Sequence, residues 1–147
     1  MENKKVMNRI QDLGAVIALI LLVAVISIIS PEFRTVKNFL SLLRQSSING
    51  LIAFGMTCVI LTGGIDLSVG SVLALTTAIC ASLIANGTPV AIAMIVALVL
   101  GVVFGIISGV FVTKGRLQPF IATLITMTVF RGLTMIFMDG KPISNLG

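Results

Sequence analysis

The sequence contains no histidine, tryptophan or tyrosine, and only five of its 147 residues are acidic. Histidine is the commonest metal ligand and a frequent general base, so its absence argues against a His-ligated metal site or an intramembrane protease. We therefore expect neither a catalytic residue nor a metal site. Tryptophan and tyrosine are also absent as stacking platforms, and no Lys or Arg cluster is dense enough to follow a phosphate backbone, so we expect no nucleic-acid partner.

Charged residues make up only 10% of the chain, whereas hydrophobic residues make up 57%. A soluble domain carries about 25% charged residues, because these side chains keep its surface in water. The composition therefore excludes a soluble monomer. The few charges lie before the first apolar run and mostly at the breaks between later runs, which is typical of a protein that crosses the membrane several times and contacts lipid.

Five apolar stretches are separated by charged or turn-forming residues. They predict an all-α fold, a polytopic membrane helix bundle of about five transmembrane helices without β-sheet, in one domain covering residues 1–147. The predicted spans are residues 13–30, 45–63, 67–86, 89–113 and 119–138. Asn38 is a candidate cap for the helix that enters the second span. Pro119 suits the first turn of the fifth helix, where its missing N–H costs nothing.

The basic residues predict the orientation of the spans, because cytoplasmic loops carry the excess of Lys and Arg. With a cytoplasmic N-terminus, five basic residues lie inside and four outside. The inside residues are Lys4, Lys5, Arg9, Lys114 and Arg116. The last two follow a fourth span that has no basic residue at its other end, which favours the same orientation. We therefore expect a cytoplasmic N-terminus and a fifth span that ends outside.

Small residues repeat at intervals of four in two neighbouring spans. The fourth span contains Gly101, Gly105 and Gly109, and the third contains Gly70 and Ala74. Lipid tails are as apolar as leucine, so membrane helices associate through close backbone contact, which small residues permit. We predict that these five positions pack against neighbouring helices, although glycine and alanine are common enough in membrane helices for the spacing to arise by chance.

Arg131 is the most costly residue in the predicted spans. It lies about eight residues from the outer end of the fifth span, roughly 12 Å deep at the helical rise. A central arginine costs about 2.5 to 3.5 kcal/mol on insertion scales. Its side chain either extends outward to the headgroups, or faces the bundle interior or a water-filled path together with Thr128 and Thr134. The second alternative makes Arg131 a candidate substrate-path residue.

Asp66 lies in the glycine-rich stretch Thr62-Gly-Gly-Ile-Asp-Leu-Ser-Val-Gly70, just before the third span. Its carboxylate can cap that helix, and Ser68 can share this role. Alternatively, the glycines interrupt a helix inside the membrane and place Asp66 beside a substrate path, as discontinuous helices do in transporters. We therefore regard Asp66 and Ser68 as candidate substrate-path residues.

The run Thr62-Gly-Gly-Ile-Asp-Leu-Ser-Val-Gly-Ser71 resembles the permeases of bacterial monosaccharide ABC importers, which are binding-protein-dependent transport permeases. The similarity extends to further runs. These are Leu43-Arg-Gln-Ser-Ser-Ile-Asn-Gly-Leu-Ile-Ala-Phe-Gly-Met56, Lys114-Gly-Arg-Leu-Gln-Pro-Phe-Ile-Ala-Thr-Leu124, Arg131-Gly132 and Asp139-Gly-Lys-Pro-Ile143. Within the family the pattern is closest to the ribose permeases. Such permeases have a second half with a similar motif and a coupling helix, so the resemblance covers the N-terminal half only.

The resemblance implies a transport subunit of the bacterial inner membrane and not an enzyme. Its implied partners are an extracytoplasmic sugar-binding protein, a second permease copy and a separate ABC ATPase. We expect no cofactor on this chain, because it lacks the G-x-x-x-x-G-K-[ST] motif, and ATP and Mg would bind to the ATPase. The implied mechanism is alternating access. A neutral sugar needs hydrogen-bonding groups along its path, and Asn49, Ser68 and Thr126 are candidates.

A small homo-oligomeric membrane channel or holin-like protein is the alternative function. It would account for a chain of 147 residues without a missing half. It would not account for the Gly-Gly-Ile-Asp-Leu-Ser run.

Overall fold

The computed structural model describes residues 13–141, which form five α-helices and one 3₁₀ turn and contain no β-strand. The helices are α1 (Gly14–Ile29), α2 (Val36–Leu61), α3 (Val69–Ala85), α4 (Val90–Thr113) and α5 (Pro119–Phe137), and the 3₁₀ turn is Pro31–Arg34. The prediction of an all-α helical bundle is confirmed. By length and hydropathy α4 and α5 are sufficient to cross a membrane, whereas α1 and α3 are shorter apolar helices.

Four of the five helices begin and end within two residues of the predicted spans, and α2 is the exception. It begins at Val36, nine residues before the predicted span at residue 45 and three residues before the helix start that a cap at Asn38 would give. The hydroxyl of Thr35 accepts a hydrogen bond from the Asn38 backbone N–H at 3.2 Å. This is the bond of an N-cap residue to the third helical residue. The predicted cap at Asn38 is therefore wrong, since Thr35 has this role and Asn38 lies inside the helix.

The chain divides into two compact units, Met1–Leu51 and Ile52–Gly147. The described part of the first unit contains α1, the 3₁₀ turn and the first part of α2. Helix α1 ends where Pro31 begins the 3₁₀ turn, and the Ser30 backbone N–H donates to the Ile26 carbonyl at 2.8 Å. The Ser30 hydroxyl donates to Glu32 Oε2 at 3.2 Å, so local hydrogen bonds define this corner.

The second unit contains α3, α4 and α5, together with the end of α2. Helix α3 packs against both α4 and α5, and α4 also contacts α5. Between the latter two, the rings of Phe104 and Phe130 stack with centroids 4.7 Å apart. Ala93 of α4 and Ala122 of α5 are almost completely buried.

Among the described residues, the distribution of buried polar and exposed apolar side chains is the reverse of that in a soluble protein. Seven buried side chains carry hydroxyl groups, whereas five buried side chains are apolar. Each of the seven hydroxyls donates a hydrogen bond to another protein group. The outer surface of the helices is covered with exposed Leu, Ile, Val and Phe side chains. Such a surface is stable in lipid, where internally satisfied polar groups hold helices together.

Two of the connections in the second unit meet at one end of the bundle. Residues 62–68 join α2 to α3, residues 114–118 join α4 to α5, and the tight turn Asn86–Pro89 joins α3 to α4 at the opposite end. Gly87 in that turn has φ +85°, a left-handed conformation that glycine adopts without steric cost. Gly63 has φ +76° for the same reason. The Gly-Gly run is therefore an irregular loop between helices.

Candidate functional site

A cavity of about 250 Å³ lies at the end of the second unit where the loop 62–68 meets α4 and α5. Its walls combine one carboxylate, several hydroxyl groups, apolar side chains and three glycines. The lining residues are Val59, Thr62, Gly64, Ile65, Asp66, Gly105, Ser108, Gly109, Val112, Thr113, Pro119 and Thr123. They come from every helix of this unit except α3, whose preceding loop supplies Thr62, Gly64, Ile65 and Asp66.

Asp66 and Ser68 form the rigid part of the loop. The Asp66 Oδ1 atom accepts two hydrogen bonds from Ser68, one from its backbone N–H at 2.7 Å and one from its hydroxyl at 2.6 Å. Ser68 precedes the first residue of α3, and only 1% of it is exposed. A carboxylate that binds the backbone two residues later forms an Asx turn, which orients the chain before a helix. Asp66 therefore supports the start of α3 and also lines the cavity.

A chain of buried hydroxyl groups extends from this loop across the bundle. The Ser68 hydroxyl lies 3.5 Å from that of Ser108, and the Ser108 hydroxyl donates to Thr126 Oγ1 at 3.2 Å. Thr126 in turn donates to the Thr123 carbonyl at 3.2 Å. These contacts join the start of α3 to α4 and α5, because each helix contributes a hydroxyl at the same level.

Thr123 connects the loop directly to α5. Its hydroxyl contacts the Ile65 carbonyl at 3.2 Å and the Pro119 carbonyl at 2.8 Å. The Ile65 carbonyl belongs to no helix, and Thr123 supplies it with a hydrogen-bond partner from α5. Thr123 thus fixes the loop that carries Asp66 against the first turn of α5.

No Lys or Arg among residues 13–141 forms an ion pair with Asp66. The ion pair found in that range joins Lys141 Nζ to Asp139 Oδ2 at 3.8 Å, and both side chains are highly exposed. Asp66 is half-buried, and its carboxylate brings a formal negative charge to the cavity wall. That charge favours ligands that donate hydrogen bonds or carry positive charge.

Three of the five predicted substrate-path residues lie together. Asp66, Ser68 and Thr126 belong to the hydrogen-bonded cluster described above. Asn49 lies in the first unit and is exposed on α2. Arg131 is exposed on α5, about 12 Å along the helix axis from Thr123. The structure thus does not bring Arg131 into the buried cluster, and its role in a substrate path stays a prediction.

The glycines predicted to pack helices have open space beside them in this unit. A Cβ atom at Gly70, Gly101, Gly105 or Gly109 would meet no heavy atom of the described residues within 4 Å outside its own helix backbone and chain neighbours. Ala74 is exposed on α3, and Gly105 and Gly109 instead line the cavity. The packing role of these five residues stays a prediction for contacts beyond this unit.

Sequence reasoning did not select Ser108 or Thr123 as site residues. Ser108 is the one serine in the 24 residues of α4, and only 5% of it is exposed. A lone serine in an apolar helix is a usable signal, because its hydroxyl needs a partner in lipid. Thr123 carries no comparable signal, since threonines at 113, 126, 128 and 134 look alike in the sequence.

The exposed apolar surface and the internally bonded hydroxyls are those of a helical membrane protein. Residues 38–141 match the family described as the permease component of the branched-chain amino acid transport system. The chain belongs to this family. Because the family consists of transport permease components, the chain is a multi-pass membrane protein.

Relatives of known name agree with this assignment. The chain is 59% identical over 137 residues to the ribose import permease protein of Bacillus subtilis, and 56% identical over 128 residues to that of Haemophilus influenzae. It is 39% identical to the D-allose transport system permease protein of Escherichia coli. These matches cover 93%, 87% and 88% of the chain but only 42%, 40% and 40% of the three relatives. No solved structure matches the chain.

Proposed function

We propose that this chain belongs to the membrane permease of an ABC importer that carries ribose into a bacterial cell. The supporting observation is the 59% identity to a ribose import permease across 93% of the chain. Identity to the D-allose relative is lower, at 39%. Family membership favours a permease over the small channel or holin-like alternative, and no observation in the described residues favours that alternative.

In this proposal an extracytoplasmic binding protein delivers the sugar, and a separate ATPase, which binds ATP and Mg²⁺, drives the conformational change. Two permease copies would form the pathway. The protein would lie in the inner membrane with a cytoplasmic N-terminus, although the basic residues at positions 4, 5 and 9 lie outside the described residues. In that orientation the loops 62–68 and 114–118 face the cytoplasm, and the cavity lies at the inner end of the bundle.

Reconstitution of the importer tests this function. The permease at its natural length is placed in liposomes with its ATPase and binding protein, and uptake of radiolabelled ribose is measured with ATP and with a non-hydrolysable analogue. We expect ATP-dependent accumulation of ribose that excess allose, fructose and leucine compete poorly. Passive equilibration without ATP would favour a channel. ATP-dependent uptake of leucine but not ribose would overturn the sugar assignment.

A further inference from the structure

Two threonines in the cavity wall donate their hydroxyl protons to backbone carbonyls of the protein. Thr62 donates to the Val59 carbonyl at 2.7 Å, and Thr113 donates to the Gly109 carbonyl at 2.8 Å. A hydroxyl has a single proton but two acceptor lone pairs. Toward a ligand, each of these groups is therefore an acceptor.

The two buried hydroxyls of the wall also act as donors to the protein and as acceptors toward the cavity. Ser108 donates its proton to Thr126, whose own proton is directed to a carbonyl. The proton of Thr123 is directed to the carbonyls of Ile65 and Pro119. All four hydroxyls in the wall are thus held as acceptors by bonds to the bundle. The hydrogen bonds within the bundle therefore leave lone pairs of these four hydroxyls for a ligand.

The Asp66 carboxylate adds one more acceptor. Both bonds from Ser68 end on Oδ1, and no described residue donates a hydrogen bond to Oδ2. No Lys or Arg among residues 13–141 forms an ion pair with Asp66. Among the described residues Oδ2 thus has unused lone pairs, and a carboxylate oxygen is a stronger acceptor than a hydroxyl.

These features define a class of ligand. The hydroxyl side chains accept hydrogen bonds, and Asp66 adds a negative charge. Together they favour a ligand with several hydroxyl donors and disfavour an anion. A volume of about 250 Å³ is close to the lower limit of small-molecule pockets and far exceeds that of a bare monovalent ion. The apolar walls formed by Val59, Val112 and Pro119 can contact the C–H groups of a sugar.

We infer that this cavity is a subsite for one neutral polyol of monosaccharide size, which it selects through the ligand's hydroxyl protons. Asp66 Oδ2 and the Ser and Thr lone pairs accept hydrogen bonds from the ligand. The inference rests on the proposed function for the choice of ribose as probe. It adds to that function the location of a binding site and a rule for selectivity, namely that the cavity binds hydrogen-bond donors in preference to acceptors.

Ligand analogues test this rule on the unmodified permease. Equilibrium binding to the natural-length permease in nanodiscs, without binding protein or ATP, is measured for D-ribose, for ribonate and for riboses in which one hydroxyl is replaced by fluorine. Fluorine keeps the size but removes the proton. We expect at least one fluorinated ribose to bind about tenfold or more weakly than ribose, and ribonate not to bind. Equal affinity for all of them would overturn the inference.

Variants locate the subsite. Asp66→Asn keeps the Oδ1 acceptor for Ser68 but replaces Oδ2 by an NH₂ donor, so we expect about tenfold or more weaker ribose binding with an unchanged yield of folded protein. Thr113→Val removes one acceptor and should weaken binding about threefold. Thr77→Val is the matched control, because Thr77 makes the same type of bond, to the Leu73 carbonyl at 2.6 Å, but does not line the cavity.

Failure of the subsite is distinguishable from failure of the proposed function. ATP-driven ribose uptake together with unchanged binding in both Asp66→Asn and Thr113→Val would remove the subsite and leave the importer function intact. Donor-selective binding without ATP-driven uptake would support the subsite and overturn the function. If Asp66→Asn does not fold, Thr113→Val and the fluorinated riboses decide the matter.

Discussion

At the scale of single residues, Ser108 shows how one hydroxyl connects three helices. Its hydroxyl lies between the hydroxyls of Ser68 and Thr126 and contacts both. The surrounding residues of α4 are almost entirely apolar. In such surroundings a hydroxyl that bonds to another helix specifies which faces meet, because apolar contacts alone do not distinguish protein from lipid.

Ser108→Ala should therefore lower the stability of the bundle. The expected loss is about 0.6 kcal/mol, and at most about 1.7 kcal/mol, which are the values typical of interhelical hydrogen bonds in membranes. The measurement is the thermal midpoint of detergent-solubilised, fluorescently tagged protein. Ser47→Ala is the matched control, because the exposed Ser47 donates only to Leu43 in its own helix. Equal midpoints for the two variants would contradict the structural role of Ser108.

Arg131 presents a different case, since it is exposed on α5 and the predicted span places it at a depth where charge is costly. If it lines the substrate path of the natural-length permease, Arg131→Leu should abolish ribose uptake without changing the amount of protein in the membrane. Arg131→Lys keeps the charge and should retain part of the uptake. Both quantities are measured in the same cells. Normal uptake by Arg131→Leu would favour a side chain that extends to the headgroups.

The sequence identified Asp66, Ser68 and Thr126 as site candidates but not Ser108 or Thr123. The reason is physical. Thr128 bonds to the Leu124 carbonyl of its own helix, and such a residue needs no partner helix. Thr123 makes the same internal bond and in addition contacts Ile65, which lies 58 positions away in the sequence. Whether a hydroxyl makes the second contact depends on helix packing, which local sequence does not encode.

At the scale of elements, the end of α4 is constrained by its backbone. The N–H groups of Lys114 and Gly115 both donate to the Val110 carbonyl, and the next residue, Arg116, has φ +52°. A Cβ atom at Gly115 would overlap the carbonyl oxygen of Phe111. The connection between α4 and α5 therefore requires glycine at 115 because of close approach.

Gly115→Ala should accordingly destabilise the protein by about 1 to 3 kcal/mol, as overpacking does. Gly132→Ala is the matched control of opposite sign, because a Cβ there meets no heavy atom of the described residues within 4 Å outside its own helix. In a helix interior this change should stabilise by up to about 1 kcal/mol. Thermal midpoints of the two variants give the comparison. A higher midpoint for Gly115→Ala would show that the turn relaxes.

Helix ends were predicted well where the sequence contains a strong turn signal. They were predicted poorly where two neighbouring residues could each cap the helix. Pro119 and the Asn86–Pro89 turn give clear boundaries, and α5 begins at Pro119. The start of α2 was misplaced because Thr35 and Asn38 are both good cap residues three positions apart. The charged residues from Arg34 to Arg44 also made the first part of α2 look unlike a membrane helix, although it is helical.

At the scale of the whole molecule, the loops between helices allow the direction of the chain across the membrane to be tested. The predicted orientation places Asn86 outside and Gln118 inside. Both residues are exposed in connections between helices, so single cysteines can replace them in a chain with Cys58 and Cys80 removed. A membrane-impermeant maleimide should label Asn86→Cys in intact cells, and Gln118→Cys only after permeabilisation. The reverse pattern would invert the predicted topology.

The fold class and the helix ranges were predictable because composition and long apolar runs are properties of the sequence alone. The cavity was not, since it depends on how α4 and α5 approach the loop 62–68. Nor was the open space beside Gly105 and Gly109. Their spacing predicts a close helix contact, whereas in the second unit they leave room in the cavity wall.

The tight turn between α3 and α4 has a consequence for how the protein is made. About 45 residues from Val69 to Thr113 leave the ribosome within roughly ten seconds at ordinary synthesis rates. The hydroxyl of Ser68, the residue that precedes α3, lies 3.5 Å from that of Ser108 in α4, 40 residues away in the sequence. If one helix entered the bilayer alone, its serine hydroxyl would be exposed to lipid without the serine of the other helix beside it. We therefore expect the α3–α4 hairpin to enter the bilayer as a pair, with its two serines already side by side.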